Sequence, residues 1–306
     1  MILKYTHKNL TWIDLECPTQ EEARQIVADW NIHPLVAQEL IGPTLRPKVE
    51  LYPNFIYLIL HLPVIRRKGS KRLIEQQEID FIIGKNFIIT SRYDAIDPLH
   101  QFSKLFEVNS ILDRSDMVEH AGFVFFYMIR ALYESLDHEL ESVTDTIRDI
   151  EENIFKGKER AMVIKISEVS RELLDVRRAT SLHKEILESF ESASRRFFGE
   201  DFSYHTRAII GEYYKVDNAV QACFESIAEL RETNNSLLNT RETETMKMIT
   251  IVAFLTLPAS IITNFFQMST VHTPIVGQAN DWLIVMGITF ASTVFLVLLA
   301  KLKKWF

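Results

Sequence analysis

The pattern of apolar and polar positions changes period along the chain and ends in two stretches with no charge at all. Near the start, TWIDLE (Thr11 to Glu16) alternates as a half-buried strand does. In the following Pro18-Thr19-Gln20-Glu21-Glu22, Thr19 is placed to cap a helix and Glu22, three residues on, to return the bond. That helix is predicted to end near Trp30, and a second, short one to follow His33-Pro34 and stop around Ile41-Gly42-Pro43. Phe55 to Leu62 is β-rich. Ile74 to Ile83 and Asn86 to Ser91 predict a hairpin that turns at Gly84-Lys85. Beyond Asp97-Pro98 the period is helical and stays so.

Phe123 to Phe155 predicts a long amphipathic helix, broken at Lys156-Gly157-Lys158, and Ala161 to Phe197 its antiparallel partner. Asp137, Glu141, Asp145 and Asp149 recur on the first of these as a carboxylate stripe, which is a solvated face or an attractor of divalent cations. The next helix carries a heptad seam: Ile209, Tyr213, Val216, Val220, Cys223, Ile227, Leu230, Asn234 and Leu237, spaced alternately by 4 and 3. A lone helix would expose this seam, so the periodicity predicts self-association around an axis. Further on the same helix turns polar at Asn234, Arg241, Thr243 and Thr245.

That helix leads without a linker into MITIVAFLTLPASIITNFFQ, uncharged from Met248 to Gln267. A second uncharged run, WLIVMGITFASTVFLVLLA, extends from Trp282 to Ala300. Each is long enough to cross a hydrocarbon core of roughly 30 Å at about 1.5 Å per residue. Arg241 and Lys247 precede the first span, and Lys301, Lys303 and Lys304 follow the second. The segment between them, Met268 to Asp281, has neither Lys nor Arg. Basic residues mark the cytoplasmic side, so both termini are expected there, in the plasma (cell inner) membrane. Trp282 and Trp305 flank the second span as interfacial aromatics do. A pair of spans that merely anchors a soluble domain is the plain alternative.

Composition sharpens this division. The 306 residues carry a net charge of -7, but the last 61 carry +3, which leaves -10 for residues 1–245. So acidic a part disfavours nucleic acid as a partner. Two distant cysteines, Cys17 and Cys223, suit a reducing compartment and cannot build a Cys-rich metal site. The nine glycines form no GxGxxG and no phosphate loop, and no serine sits in G-x-S-x-G, so an enzyme is not expected.

In its order of motifs the chain resembles the CorA family of magnesium transporters. The resemblance rests on TWIDLECPTQEE, RPKVELYPNFIYLIL (Arg46 to Leu60) and GKNFIITSR (Gly84 to Arg92). It continues through the helix entering the membrane at Glu244 to Ile251, Leu257-Pro258 within the first span, and the basic end KLKKWF. It implies an α+β cytoplasmic domain followed by long helices and two C-terminal transmembrane helices, assembled as a funnel-shaped homopentamer around a pore. The divisions expected are an α/β domain over 1–116, an antiparallel long-helix hairpin over 117–202 and a stalk helix continuing into the first span over 203–266. An outer loop over 267–281, a second span over 282–300 and a basic tail over 301–306 complete them. The family passes Mg²⁺, and sometimes Co²⁺, Ni²⁺ or Zn²⁺, down its electrochemical gradient. Divalent cation is thus implied as substrate and as a regulator, the lipid bilayer as surroundings, and no organic cofactor.

Carried over by position, Thr243 stands where the family has a pore-lining Asn, and Met246, Ile249 and Leu257 stand at its apolar constrictions; lipid-facing packing is their alternative. Nine residues after Pro258 the family has Gly-Met-Asn, and this chain has Gln267-Met268-Ser269, with only Met in common. Thr273-Pro274-Ile275 replaces Met-Pro-Glu, and Asp281 is the one acid of the loop. Asn264, one turn before Gln267, and Ser260, another turn before, offer further oxygens. A ring of Ser260, Asn264, Gln267 and Ser269 would receive a hydrated divalent cation. Otherwise the chain is a paralogue that does not conduct Mg²⁺, a membrane-anchored oligomeric scaffold or a carrier of another solute. For a regulatory metal the resemblance points to Asp94 and Asp97, faced by Glu212 and Asp217 of the long helix.

Overall fold

The computed structural model describes residues 1–68, 71–111, 120–267 and 280–302. It divides into an amino-terminal unit, Met1–Glu232, and a carboxyl-terminal unit, Thr233–Phe306. In the first, the alternating segments form strands β1 (Ile2–His7), β2 (Leu10–Glu16), β3 (Lys48–Leu51), β4 (Phe55–Lys68), β5 (Lys71–Gly84) and β6 (Phe87–Arg92). They join in the order β1-β2-β6-β5-β4-β3, antiparallel except for β2 and β6, which pair in parallel. The hairpin turns where expected. A Cβ on Gly84 would run into the Phe87 ring, so any larger residue at that turn must displace the ring. Strands β1 and β3 were not signalled by the sequence, because both lie at sheet edges and are only partly buried.

Each face of the sheet is covered. Helices α1 (Gln20–Asp29) and α2 (Pro34–Glu39) cover one: Ala23, Ile26 and Val36 pack on Ile13, Leu15, Tyr57, Ile59, Ile82 and Ile89. The predicted capping box is present, with Glu22 N donating to Thr19 Oγ1 at 3.2 Å and Thr19 N to Glu22 Oε2 at 2.8 Å. The other face meets α3 (Asp97–Ile111) and α4 (Ala121–Phe155). The Trp12 ring stands edge-on to Phe102 and Phe106, and Phe81 edge-on to Phe125. A two-sided sheet of this kind is a three-layer α/β/α arrangement.

After α4 the chain departs from the expected hairpin of two long helices. The return is two helices, α5 (Glu159–Thr180) and α6 (His183–Phe198), parted at Ser181-Leu182. Hydroxyls of Thr180 and Ser181 bond back to Val176 O at 3.1 Å and Arg178 O at 2.9 Å, occupying carbonyls at the break. The break turns His183 fully inward, where Tyr133 Oη lies 2.7 Å from Nδ1 and His61 O lies 2.6 Å from Nε2. Gly199, at φ +102°, then ends α6 in a conformation that favours glycine.

Helix α7 runs from Ser203 to Gln267, and the boundary between the units falls within it. Its seam is buried from Ile209 to Leu230, and the chain's own helices do the burying. Thr144 Oγ1 on α4 meets Cys223 Sγ at 3.5 Å, Arg231 Nη2 donates to Ser170 Oγ on α5 at 2.7 Å, and Arg177 stands over the Phe224 ring. The inference from the seam to self-association is therefore corrected: its partners lie within one chain. The carboxyl-terminal unit holds the rest of α7 and α8 (Asp281–Leu302). In the most apolar windows of the two helices 0 % and 6 % of residues are buried, unlike core helices of a soluble domain.

Candidate functional site

The apolar part of α7 has two unlike faces. Ile251, Leu255, Pro258, Ala259, Ile262 and Phe266 are partly shielded, and at about 100° per residue they share an arc of about 100°. Thr243, Met246, Ile249, Leu257, Ser260, Asn264 and Gln267 are all exposed and fall within an arc about 120° wide, centred nearly opposite. The residues singled out from the sequence thus form one continuous stripe. On α8 the partly shielded stripe is Val285, Thr289, Ser292, Thr293 and Leu296, with Ala300 buried.

Along the exposed stripe of α7 the chemistry is ordered. Ser260, Asn264 and Gln267 place a hydroxyl and two carboxamides on successive turns, and Leu257, Ile249 and Met246 precede them as apolar side chains. The Ser260 hydroxyl donates to Thr256 O at 3.0 Å and that of Thr243 to Asn239 O at 2.8 Å. With their protons used inside the helix, both oxygens present acceptor lone pairs outward. Pro258 sits in the shielded arc and removes one donor from the helical ladder. Nearby, Thr256 Oγ1 donates to Val252 O at 2.9 Å. Met268 and Ser269 lie outside the described residues.

Of the acidic candidates, Asp94 follows β6 and pairs with the Arg66 guanidinium, while Ala95 N donates to its Oδ1 at 2.7 Å. That backbone bond first, and Arg66 second, hold the carboxyl below its ordinary value. Asp94 and the exposed Asp97 line one cleft of about 400 Å³ with Arg66, Gln101, Ser135 and Glu139. Glu212 and Asp217 are placed on α7, with Glu212 Oε1 3.6 Å from Arg130 Nε. Among the described residues no three His, Cys, Asp or Glu side chains stand as a ready metal cluster. The carboxylate stripe of α4 is a solvated, ion-paired face: Asp137 meets Lys215, Asp145 meets Arg148 at 3.2 Å, and Asp149 meets Lys165 at 3.2 Å.

Periodicity gave no sign of the polar groups inside the sheet layers. Arg92 Nη2 bonds Asp14 Oδ2 at 3.0 Å and Glu16 Oε2 at 3.2 Å, and Thr90 Oγ1 donates to Asp14 Oδ1 at 2.7 Å. Burial pushes His183 and His120 down to about 4. On the α1–α2 side, Glu78 and Asp80 are buried two residues apart on β5. Their alternation in EQQEIDF reads as an outward polar face, and only the covering by α2 and the segment after it, where Thr44 N donates to Glu78 Oε2, reverses it.

Residues 7–304 match the family model described as CorA-like Mg²⁺ transporter protein. The cobalt/magnesium transport protein CorA of Thermotoga maritima is 21 % identical over 296 residues, covering 96 % of this chain and 83 % of its own length. That of Methanocaldococcus jannaschii is 19 % identical over 312 residues, covering 99 % and 93 %. The complete structure of the M. jannaschii CorA magnesium transporter superposes with a TM-score of 0.83 at 17 % identity, over 99 % of this chain and 94 % of that one.

Proposed function

The chain belongs to the CorA-like Mg²⁺ transporter family, and on that footing we propose that it passes divalent cations through a pore lined by the exposed stripe of α7. Mg²⁺ is the foremost substrate, with Co²⁺, Ni²⁺ and Zn²⁺ as others. The observation that carries this reading is the grouping of Thr243, Met246, Ile249, Leu257, Ser260, Asn264 and Gln267 on one exposed arc opposite the shielded one. Five copies, as the family resemblance implies, would turn this stripe inward around an axis. An isolated helix in lipid gains nothing from presenting two carboxamides and a hydroxyl outward, whereas a hydrated pore solvates them.

Mg²⁺ gives up water reluctantly, so a filter of amide and hydroxyl oxygens at Ser260, Asn264, Gln267 and Ser269 suits the hydrated ion. Met246, Ile249 and Leu257 would narrow the path below it, where apolar rings gate by constriction and dewetting. An inward potential contributes about 2.3 kcal/mol per charge per 100 mV, and about twice that for a divalent ion. Both termini lie in the cytoplasm of a cell inner membrane in this reading, as the basic residues flanking the spans require. Asp94 and Asp97, facing Glu212 and Asp217 of a neighbouring copy, would hold a regulatory divalent cation. Its removal would leave carboxylates repelling across the interface and favour opening.

The test is divalent-cation flux into liposomes, with Asn264→Leu/Gln267→Leu against the parent. A large loss of flux in the double variant supports the filter; equal flux overturns it. One observation favours a second reading. Gln267-Met268-Ser269 stands in place of Gly-Met-Asn, and the loop retains a single acid, Asp281, which leaves little field to gather cations. A parent that carries no divalent cation but still assembles would make the chain a membrane-anchored scaffold or a carrier of another solute.

A further inference from the structure

The interior beneath α2 holds a group that neither transport nor packing explains. Asp80 is 0 % exposed, and neither of its carboxyl oxygens has a hydrogen-bond donor. Glu78, two residues earlier on the same face of β5, points toward it. The two differ in what they already hold. Glu78 Oε2 accepts from Thr44 N at 2.7 Å and Thr44 Oγ1 at 3.2 Å and lies 3.0 Å from His61 Nε2, whereas Glu78 Oε1 is left without a partner. Two ionised carboxylates meeting in this way would repel with no donor between them, in a site without water to screen them.

Among the described residues the cation that acts on Asp80 is Lys48, and it is already engaged by other acids. Helix α2 contributes another acid, Glu39. Strand β3 contributes Lys48 and Glu50, but the ammonium is held by Glu39 at 2.8 Å and by Glu50 at 2.9 Å. Strand β4 contributes the neutral Tyr57 hydroxyl, without a partner, and His61, which faces Glu78. From β6 and beyond come the Ser91 hydroxyl, across the ladder from Asp80, and Tyr93, whose Oη donates to Glu39 O at 3.0 Å. Glu39, Lys48 and Glu50 line a shallow cleft of about 500 Å³ together with Leu35 and Tyr52. Lys48 Nζ stands 5.3 Å from the centre of the Tyr57 ring.

We propose that Glu78 and Asp80 form a carboxylate–carboxylic acid pair that holds one proton inside the amino-terminal unit at neutral pH, and that losing this proton loosens α2 and the segment after it, at Thr44, from the sheet. The proton resides on Asp80, which has no other donor, and bridges to Glu78 Oε1, the acceptor left over. The reading is independent of transport and of the number of copies. Burial first, and the charge of Glu78 second, raise the Asp80 carboxyl well above its ordinary 3.8. A group raised on folding gives stability that is complete below its unfolded value and is lost as pH rises toward the folded one. Alkaline conditions are therefore the ones that strain this layer.

The experiment uses the full chain in detergent, parent against Asp80→Asn, with thermal unfolding followed between about pH 5 and about pH 8. Asparagine copies the shape of the neutral acid, so the variant is expected to unfold at least about 3 °C above the parent near the alkaline end, with the difference shrinking toward acid. The infrared spectrum of the parent at neutral pH is expected to show a carboxylic-acid C=O band that Asp80→Asn lacks. If that variant fails to fold, Glu78→Gln removes the neighbouring charge and should move the loss of the band to lower pH. A less stable Asp80→Asn that also loses a MgCl₂-dependent rise in unfolding temperature would mean a metal cation sits where the proton is placed. Unchanged pH dependence without the band would mean an ionised, water-solvated Asp80. Either result overturns the proposal.

Discussion

The two units treat polarity in opposite ways. In the amino-terminal unit, charged and hydroxyl side chains enter the interior, some with partners, as Asp14, Thr90 and Arg92 have, and some without, as Asp80; the exposed surface is studded with ion pairs such as Arg130–Glu134. In the carboxyl-terminal unit the relation is reversed. Apolar side chains such as Phe290, at 73 % exposure, face outward, and the few amides share an arc with them. The first pattern is an interior built against water; the second belongs to helices whose surroundings are themselves apolar. The same residue type therefore changes meaning with its unit. An exposed leucine among residues 1–232, such as Leu45, is one apolar residue on a polar surface, whereas the exposed Leu257 belongs to a helix apolar enough to cross a membrane.

This contrast can be broken most forcefully at Arg92. Replacing it with Leu leaves the Asp14 carboxylate buried without its cation, and the amino-terminal unit should lose about 3–5 kcal/mol, measured by denaturant unfolding of the detergent-solubilised chain. Acid acts next. His183 and His120 are held neutral with their values at about 4, against an ordinary 6.5. Because the folded values are depressed, the stability they contribute is present above 6.5 and is lost as pH falls toward about 4. For the fully buried His183 that loss is about 3 kcal/mol, read as a falling unfolding temperature over that window. His183→Gln should flatten the profile.

Smaller effects sharpen the comparison. Tyr133→Phe leaves His183 Nδ1 without its donor and should cost about 1–3 kcal/mol. Thr19→Ala opens the capping box of α1 and should cost about 1 kcal/mol. Leu257→Asn, on the exposed arc, should shift unfolding of the amino-terminal unit by less than about 0.5 kcal/mol while changing ion flux. A change of stability there comparable to that of Arg92→Leu would erase the distinction between the units.

Much of the local structure was legible because its causes are local. The capping box needs only Thr19 and Glu22 three residues apart, and the β5–β6 hairpin has its glycine where the Phe87 ring closes in. The uncharged runs announce themselves by composition. The division of the return into α5 and α6 was not legible, since the break serves His183, whose partners Tyr133 and His61 are distant in sequence. Nor was the destination of the heptad seam. A seam says that a helix must be covered, but not by which chain, and here Thr144, Ser170 and Arg177 cover it from within. On the candidate stripe, periodicity and resemblance picked residues one by one; their common arc opposite the shielded face came from burial.

By itself the sequence determined the order of elements, the two apolar spans with their basic flanks, and the family to which the chain belongs, because each rests on residues near one another or on motifs in a fixed order. Tertiary structure alone decided which polar residues lie inside. Glu78 and Asp80 alternate on β5 just as solvent-facing residues would, and the covering of that face by α2 and the segment after it turns them into a buried acid pair. Period fixes the face a residue shares with its neighbours; what packs on that face is set by segments far along the chain, and this decides whether a carboxyl meets water, a cation or another carboxyl.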